Sequence, residues 1–168
     1  GCEAFIPEKD LVDGQCANHR KKPDWISEEN YFFRLSNYAE ALKAHYAAHP
    51  EFVQPESYRN EMLALLDGGL TDVSISRDSR EWGVPFPSDP DTVVYVWVDA
   101  LINYLAGVGF PADGERCDKW WSADVHVIGK DITRFHCLIW PAMLISAVLE
   151  LPATVSVHGF ISMDGNKL

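Results

Sequence analysis

The chain has 168 residues, 47% of them hydrophobic and 12% aromatic, which suits a globular domain with its own core and excludes a disordered tail. A formal net charge of -11 excludes a general phosphate-binding surface, so any nucleic acid contact is expected to be local. No apolar run approaches the roughly 18–20 residues of a membrane span, because Pro141 and Glu150 interrupt the segment 138–151.

The sequence opens on Gly1-Cys2 without a start methionine or a basic-then-apolar leader, which suggests a piece of a longer protein. Cysteines at positions 2, 16, 117 and 137 number enough for two disulfides, yet Cys137 sits inside an apolar helical pattern. A reduced, intracellular compartment fits better. Cys16-Ala-Asn-His19 has the two-residue gap that aims a thiolate and an imidazole at one tetrahedral ion, and Cys2 offers a third ligand. The other readings are a stray Cys and His on a polar loop, or a catalytic zinc, for which no neighbouring general base stands out.

Ser27 followed by two acids predicts a helix start, and Phe33, Leu35, Tyr38, Leu42 and Tyr46 continue an amphipathic pattern to about His49. Tyr58, Met62, Leu65 and Leu66 predict a second helix, stopped by Gly68-Gly69. These two helices read as a stalk between domains, with His45 and His49 on a solvated face. Residues 71–76 alternate as a half-buried strand delivering Arg77, whose planar fork suits a carboxylate. Residues 82–91 read as turns and loop.

Residues 92–98, β-branched and aromatic throughout, predict a central strand of a mostly parallel sheet, with Asp99 capping a helix that ends near Gly107. An irregular insertion is expected over 108–123. The apolar run 125–128 predicts a buried strand, and Gly129 lets the chain turn. From Asp131 the spacing is helical, with Ile132, His136 and Trp140 four apart on one face. A strand, a glycine turn and a helix opening on an acid form the corner where α/β sheets bind ligands. Residues 152–157 predict a further strand, leading through His158-Gly-Phe-Ile-Ser to Lys167.

Taken together, Tyr95-Val-Trp-Val-Asp-Ala-Leu-Ile-Asn-Tyr104, Ile128-Gly-Lys-Asp-Ile-Thr-Arg-Phe-His136, Trp140-Pro-Ala-Met-Leu144 and His158-Gly-Phe160 to Lys167-Leu168 closely resemble the methionyl-tRNA synthetases, class I enzymes with a Rossmann-type core. Asn30-Tyr-Phe-Phe-Arg34 and Asp72-Val-Ser-Ile-Ser-Arg77 match as well, so the resemblance covers essentially the whole chain.

The resemblance implies an α/β fold: the second half of a Rossmann-type core at 70–168, preceded by a connective insertion at 1–69 with a partial zinc knuckle. It implies a ligase that activates methionine with ATP and Mg2+ and passes it to tRNA(Met), in the cytoplasm and away from membranes. Trp97, Ala100, Leu101, Tyr104, Ile132, His136 and Trp140 resemble the methionine pocket, with Arg77 near the substrate carboxylate. Leu101 departs from the proline that some members carry, and it keeps the wall apolar. Gly129 and Asp131 resemble the ribose contact, the backbone near Ile161 the adenine contact, and Lys167 the first, catalytic lysine of the Lys-Met/Leu-Ser-Lys-Ser loop. Cys2, Cys16 and His19 resemble ligands of a structural zinc.

The His-Ile-Gly-His-type motif, the rest of the lysine loop, a fourth zinc ligand and the anticodon-binding domain do not occur in these 168 residues, which are not expected to form the adenylate by themselves. Two alternatives stay open on the sequence: a related synthetase for a branched aliphatic amino acid, and a non-catalytic zinc-bearing interaction module.

Overall fold

The computed structural model describes residues 11–16, 20–24, 29–78, 82–163 and 166–167. Its parallel sheet is built from three strands in the order β2 (Val53–Gln54), β8 (Thr154–His158) and β7 (Val125–Gly129). β7 runs beside β8 from the Val125–Thr154 pair to the Gly129–His158 pair, so the glycine turn and His158 emerge together at the carboxyl edge. Along β7, His126 and Ile128 are buried while Val125 and Val127 face outward. That alternation is the period of a strand with one face against helices.

The helical expectation for the early segment needs two corrections. The expected cap at Ser27 lies outside the described residues and is not one of the two. First, Phe32–Phe33 forms β1, paired antiparallel with β3 (Val73–Ser74). Second, the helix begins only after a 3₁₀ turn at Leu35–Tyr38 and occupies Ala39–Ala48 (α1). Two large aromatics in sequence cannot both face one core from a helix, whereas in an antiparallel pair Phe32 points out and Phe33 packs inward. α2 (Glu56–Asp67) stops at Gly68-Gly69 as expected, and Gly69 adopts a φ of 89°. Neither helix is a stalk. Leu42 and Tyr46 of α1 and Met62 and Leu66 of α2 share one buried cluster with Ile128, Trp140 and Val155. The Tyr46 hydroxyl donates to the Cys137 carbonyl oxygen at 2.9 Å, and Val155 N–H donates to the Phe52 carbonyl. The buried cluster therefore draws residues from both sides of position 69/70.

A second sheet is antiparallel, with β6 (Asp89–Val94) between β4 (Ser76–Asp78) and β5 (Pro85–Phe86). The expected loop over 82–91 is thus largely a β5–β6 hairpin. The expected central strand of a parallel sheet is likewise corrected, because β6 ends at Val94 and α3 already starts at Val96. Tyr95 is the cap: its carbonyl receives the Val98 and Asp99 N–H groups, and its own N–H still donates to Ile75. Asp99, expected as the cap, sits in the first turn, where its charge complements the helix dipole. α3 runs from Val96 to Gly107, ending where the sequence indicated.

Residues 108–123 are also more ordered than expected. They contain α4 (Gly114–Trp120), capped by the Asp113 carboxylate, which accepts from the Arg116 N–H at 3.0 Å. After β7 the chain passes through a 3₁₀ turn (Lys130–Ile132), a π-helical turn (Phe135–Ile139) and α5 (Trp140–Ser146). α5, β8 and the hairpin of β9 (Ser162–Met163) with β10 (Asn166–Lys167) complete the order. No helix among the described residues is long and apolar enough to cross a membrane.

Candidate functional site at the carboxyl edge of the parallel sheet

Two elements present the expected pocket residues. On α3, Trp97, Ala100, Leu101 and Tyr104 follow the i, i+3, i+4, i+7 spacing and share one face. With helix starting at Val96, Trp97 joins that face, which a strand over 92–98 would not have allowed. On the facing segment, Ile132, His136 and Trp140 keep a common side through a π-helical turn, whose wider winding brings successive residues round more slowly.

The two elements meet ring to ring. Trp97 stacks on Phe135 at 5.1 Å, and Tyr104 lies 6.0 Å from Trp140. The Tyr104 hydroxyl and His136 Nε2 are 2.8 Å apart. His136 Nδ1 lies 3.1 Å from the Ile132 carbonyl oxygen, which only accepts, so the proton sits on Nδ1 and Nε2 accepts from Tyr104. Burial lowers the His136 pKa and raises that of Tyr104, so both are neutral near pH 7. The result is an uncharged polar pair in an aromatic wall, the setting a soft apolar side chain with one weakly polar atom requires.

Three ring residues of this cluster lie outside the sequence expectation. His126 of β7 packs 4.4 Å from Tyr104 and 6.0 Å from His136, centroid to centroid. Its pKa is held down to about 4, first by burial and then by the charge His136 would carry. Trp121 meets Trp140 edge-on at 6.0 Å, and Phe135 supports Trp97. Trp121 was visible only as an aromatic in an apparent insertion, and His126 only as a polar interruption of an apolar run.

Of the residues expected on the nucleotide side, Gly129 ends β7 and Asp131 lies in the turn that follows it. Gly129 has an ordinary φ of −78°, so it is not needed for a left-handed turn. Close approach is what requires it: an added Cβ would fall 2.8 Å from Asp131 Oδ1 and 3.7 Å from His158 Cε1. Lys130 places its ammonium 4.1 Å from the Phe160 ring centroid, tying the two strand ends together. Ile161 is exposed, and the Lys167 backbone pairs with Ser162 in the β9–β10 hairpin.

Arg77 lies on β4, where Nη1 donates to Ser74 Oγ and to the Ser76 carbonyl oxygen, both at 2.8 Å. Its guanidinium carbon sits 3.6 Å from the centroid of the Tyr95 ring. The arginine is thereby fixed at the residue that starts α3.

Of the expected zinc ligands, Cys2 and His19 lie outside the described residues, and Cys16 is buried. Cys16 follows a tight hairpin in which Asp13 and Gly14 both take positive φ, and its backbone bonds to Lys21 and Arg20. Among the described residues, no three His, Cys, Asp or Glu side chains cluster as a metal site. His45 is half-buried rather than solvated, edge-on to Phe52 at 4.6 Å. A separate cavity of about 300 Å³ lies around α3 from the aromatic cage, against Val98, Ile102, Ile139 and Met143, and its walls are apolar throughout.

This mixed α/β fold belongs to the class I tRNA synthetases: the family profile described as "tRNA synthetases class I (M)" matches residues 1–168. The chain's relatives are methionine–tRNA ligases. That of Mycobacterium tuberculosis H37Rv is 54% identical over 171 residues, covering 99% of this chain and 33% of the relative. That of Thermotoga maritima is 49% identical over 171 residues, covering 99% of this chain and 27% of the relative. The structure of Mycobacterium tuberculosis methionyl-tRNA synthetase in complex with methionyl-adenylate matches with a TM-score of 0.86 at 52% identity, over 94% of this chain and 32% of that one. The chain spans 27–33% of the length of these relatives.

Proposed function

We propose that the chain forms the methionine-selecting part of a methionine–tRNA ligase, which activates methionine with ATP and transfers it to tRNA(Met) in the cytoplasm. The observation that carries this reading is the neutral Tyr104–His136 pair set in a ring-lined wall beside the carboxyl edge of the parallel sheet. Trp97, Ala100, Leu101, Ile132 and Trp140 complete the wall against the thioether side chain. Arg77, held by Ser74 and Tyr95, is assigned to the substrate carboxylate. Gly129 and Asp131 take the ribose, the backbone at Ile161 takes adenine, and Lys167 takes charge developing on the phosphates.

In this reading the chain binds and orients, and no side chain acts as a nucleophile. The methionine carboxylate attacks the α-phosphate in line, and pyrophosphate leaves with Mg2+ as its counter-ion. Zinc, where bound, is structural and held by Cys16 with Cys2 and His19. The buried thiol after a tight hairpin supports that assignment.

The test is ATP–pyrophosphate exchange by the full-length protein that carries this chain. Methionine is expected to drive exchange in preference to leucine, isoleucine and valine. Equal exchange with the branched amino acids would transfer the reading to a related synthetase, and no exchange with any of them would favour an interaction module.

A further inference from the structure

The ladder between β7 and β8 ends at the Gly129–His158 pair, and Gly159, Phe160 and Ile161 belong to no strand. The backbone at Ile161, assigned to adenine, therefore lies past the last rung of the sheet, and its side chain is exposed. Backbone groups that bind a base have to be held to within about 0.5 Å of their working positions. Something other than the ladder has to hold them here.

Two side chains fix the approach to Ile161. His158 Nδ1 lies 2.7 Å from the Gly159 carbonyl oxygen, which only accepts, so the ring donates and orients that peptide. Lys130 reaches across from the turn after β7 and sets its ammonium 4.1 Å from the centre of the Phe160 ring. The same three-residue turn, Lys130–Ile132, carries Asp131, assigned to the ribose. One short turn thus bears a ribose contact and a clamp on the segment assigned to adenine.

A lysine beside a nucleotide would ordinarily be read as a phosphate ligand. This ammonium instead lies over a ring face, an arrangement that orients the ring and the backbone carrying it. We propose that Lys130 is a positioning residue for the nucleoside part of ATP, acting through Phe160 on the backbone at Ile161 and not on a phosphate. The proposal rests on the reading of this edge as the ATP site of a methionine–tRNA ligase.

The test measures methionine-dependent ATP–pyrophosphate exchange in the full-length protein and in K130M, K130R, F160L and the double variant K130M/F160L. Inhibition of exchange by adenosine, which has no phosphate, is measured beside it. K130M keeps the aliphatic stem and F160L keeps apolar bulk. Each is expected to raise the KM for ATP and the Ki for adenosine by about three- to fivefold, with the methionine KM changed less than about twofold. The double variant is expected to be no worse than the worse single variant, and K130R, whose guanidinium also stacks on a ring, to keep most of the parent's affinity. A higher ATP KM in K130M with an unchanged adenosine Ki would make Lys130 a phosphate ligand and overturn the proposal. Additive losses in the double variant, parent values in K130M or F160L, or an equal rise in the methionine KM would overturn it too. A parent without methionine-dependent exchange would instead overturn the underlying reading, and this proposal with it.

Discussion

Tyr104 donates its hydroxyl to His136 Nε2 across 2.8 Å, joining the middle of α3 to the π-helical turn after β7. The bond spans 32 positions of sequence and is the polar link between the two walls of the aromatic cage. Removing the hydroxyl leaves His136, which is 4% exposed, with a ring nitrogen that no longer has its donor. Tyr104→Phe is therefore expected to destabilise the chain by about 1–3 kcal/mol, read from the urea midpoint. In the full-length protein it is expected to raise the methionine KM more than it lowers kcat. An unchanged midpoint and KM would show that the hydrogen bond does neither job.

At Gly129 the proposed nucleotide contact can be tested apart from stability. Its backbone is in a region open to any residue, so alanine there brings no torsional strain. The new methyl instead meets the Asp131 carboxylate, which is the flexible end of a side chain and can swing aside. Gly129→Ala is expected to cost less than about 1 kcal/mol in stability while raising the KM for ATP, with the methionine KM little changed. A large loss of stability with an unaltered ATP KM would contradict the assignment of this corner to the ribose.

Acid should weaken the fold through its buried histidines. His126 titrates near 4 instead of 6.5, and burial also lowers His136 and His45. Each is neutral when folded and takes up a proton when the chain unfolds. The unfolded state therefore binds more protons between pH 6.5 and about 4, and stability falls as pH falls through that window. His126 alone accounts for up to about 3 kcal/mol, at roughly 1.4 kcal/mol per pH unit. Urea midpoints at several pH values, for the parent and His126→Phe, check this: the phenylalanine variant should show a shallower decline.

Tyr46 links α1 to the same π-helical turn. Its hydroxyl donates to the Cys137 carbonyl in a site where both side chains are fully buried. Burial raises both pKa values, that of the Cys137 thiol up to about 12. Cys137 is accordingly inert, and thiol-labelling reagents are expected to leave it unmodified in the folded chain and react once it is unfolded. Tyr46→Phe should lower stability by about 1 kcal/mol by orphaning that carbonyl. Fast labelling of the folded chain at Cys137 would contradict the packing described here.

What could be read from the sequence was what repeats locally. The alternation in β7 and the four-residue spacing of Ile132, His136 and Trp140 each reflect the period of one element against one core face. The start of α3 was not legible, because Val94 to Val98 carries the β-branched and aromatic residues of a strand. Its fate is decided by Ile75, which receives the Tyr95 N–H, and by Arg77, which stacks on the Tyr95 ring. The strand Phe32–Phe33 was missed for the same reason: its partner Val73–Ser74 lies far along the chain. His126 shows the limit most clearly. In sequence it is one polar residue in an apolar run, and only the pairing of β7 with β8 and the packing of α3 place it against Tyr104.

The most direct measurement is the identity of the amino acid that the full-length protein attaches to tRNA from an equimolar mixture of all the amino acids, read by mass spectrometry of the esterified 3′-end. The account requires methionine on tRNA(Met), with a sharp reduction in Tyr104→Phe at limiting methionine. Leucine, isoleucine or valine in its place, or no esterified tRNA at all, would contradict it.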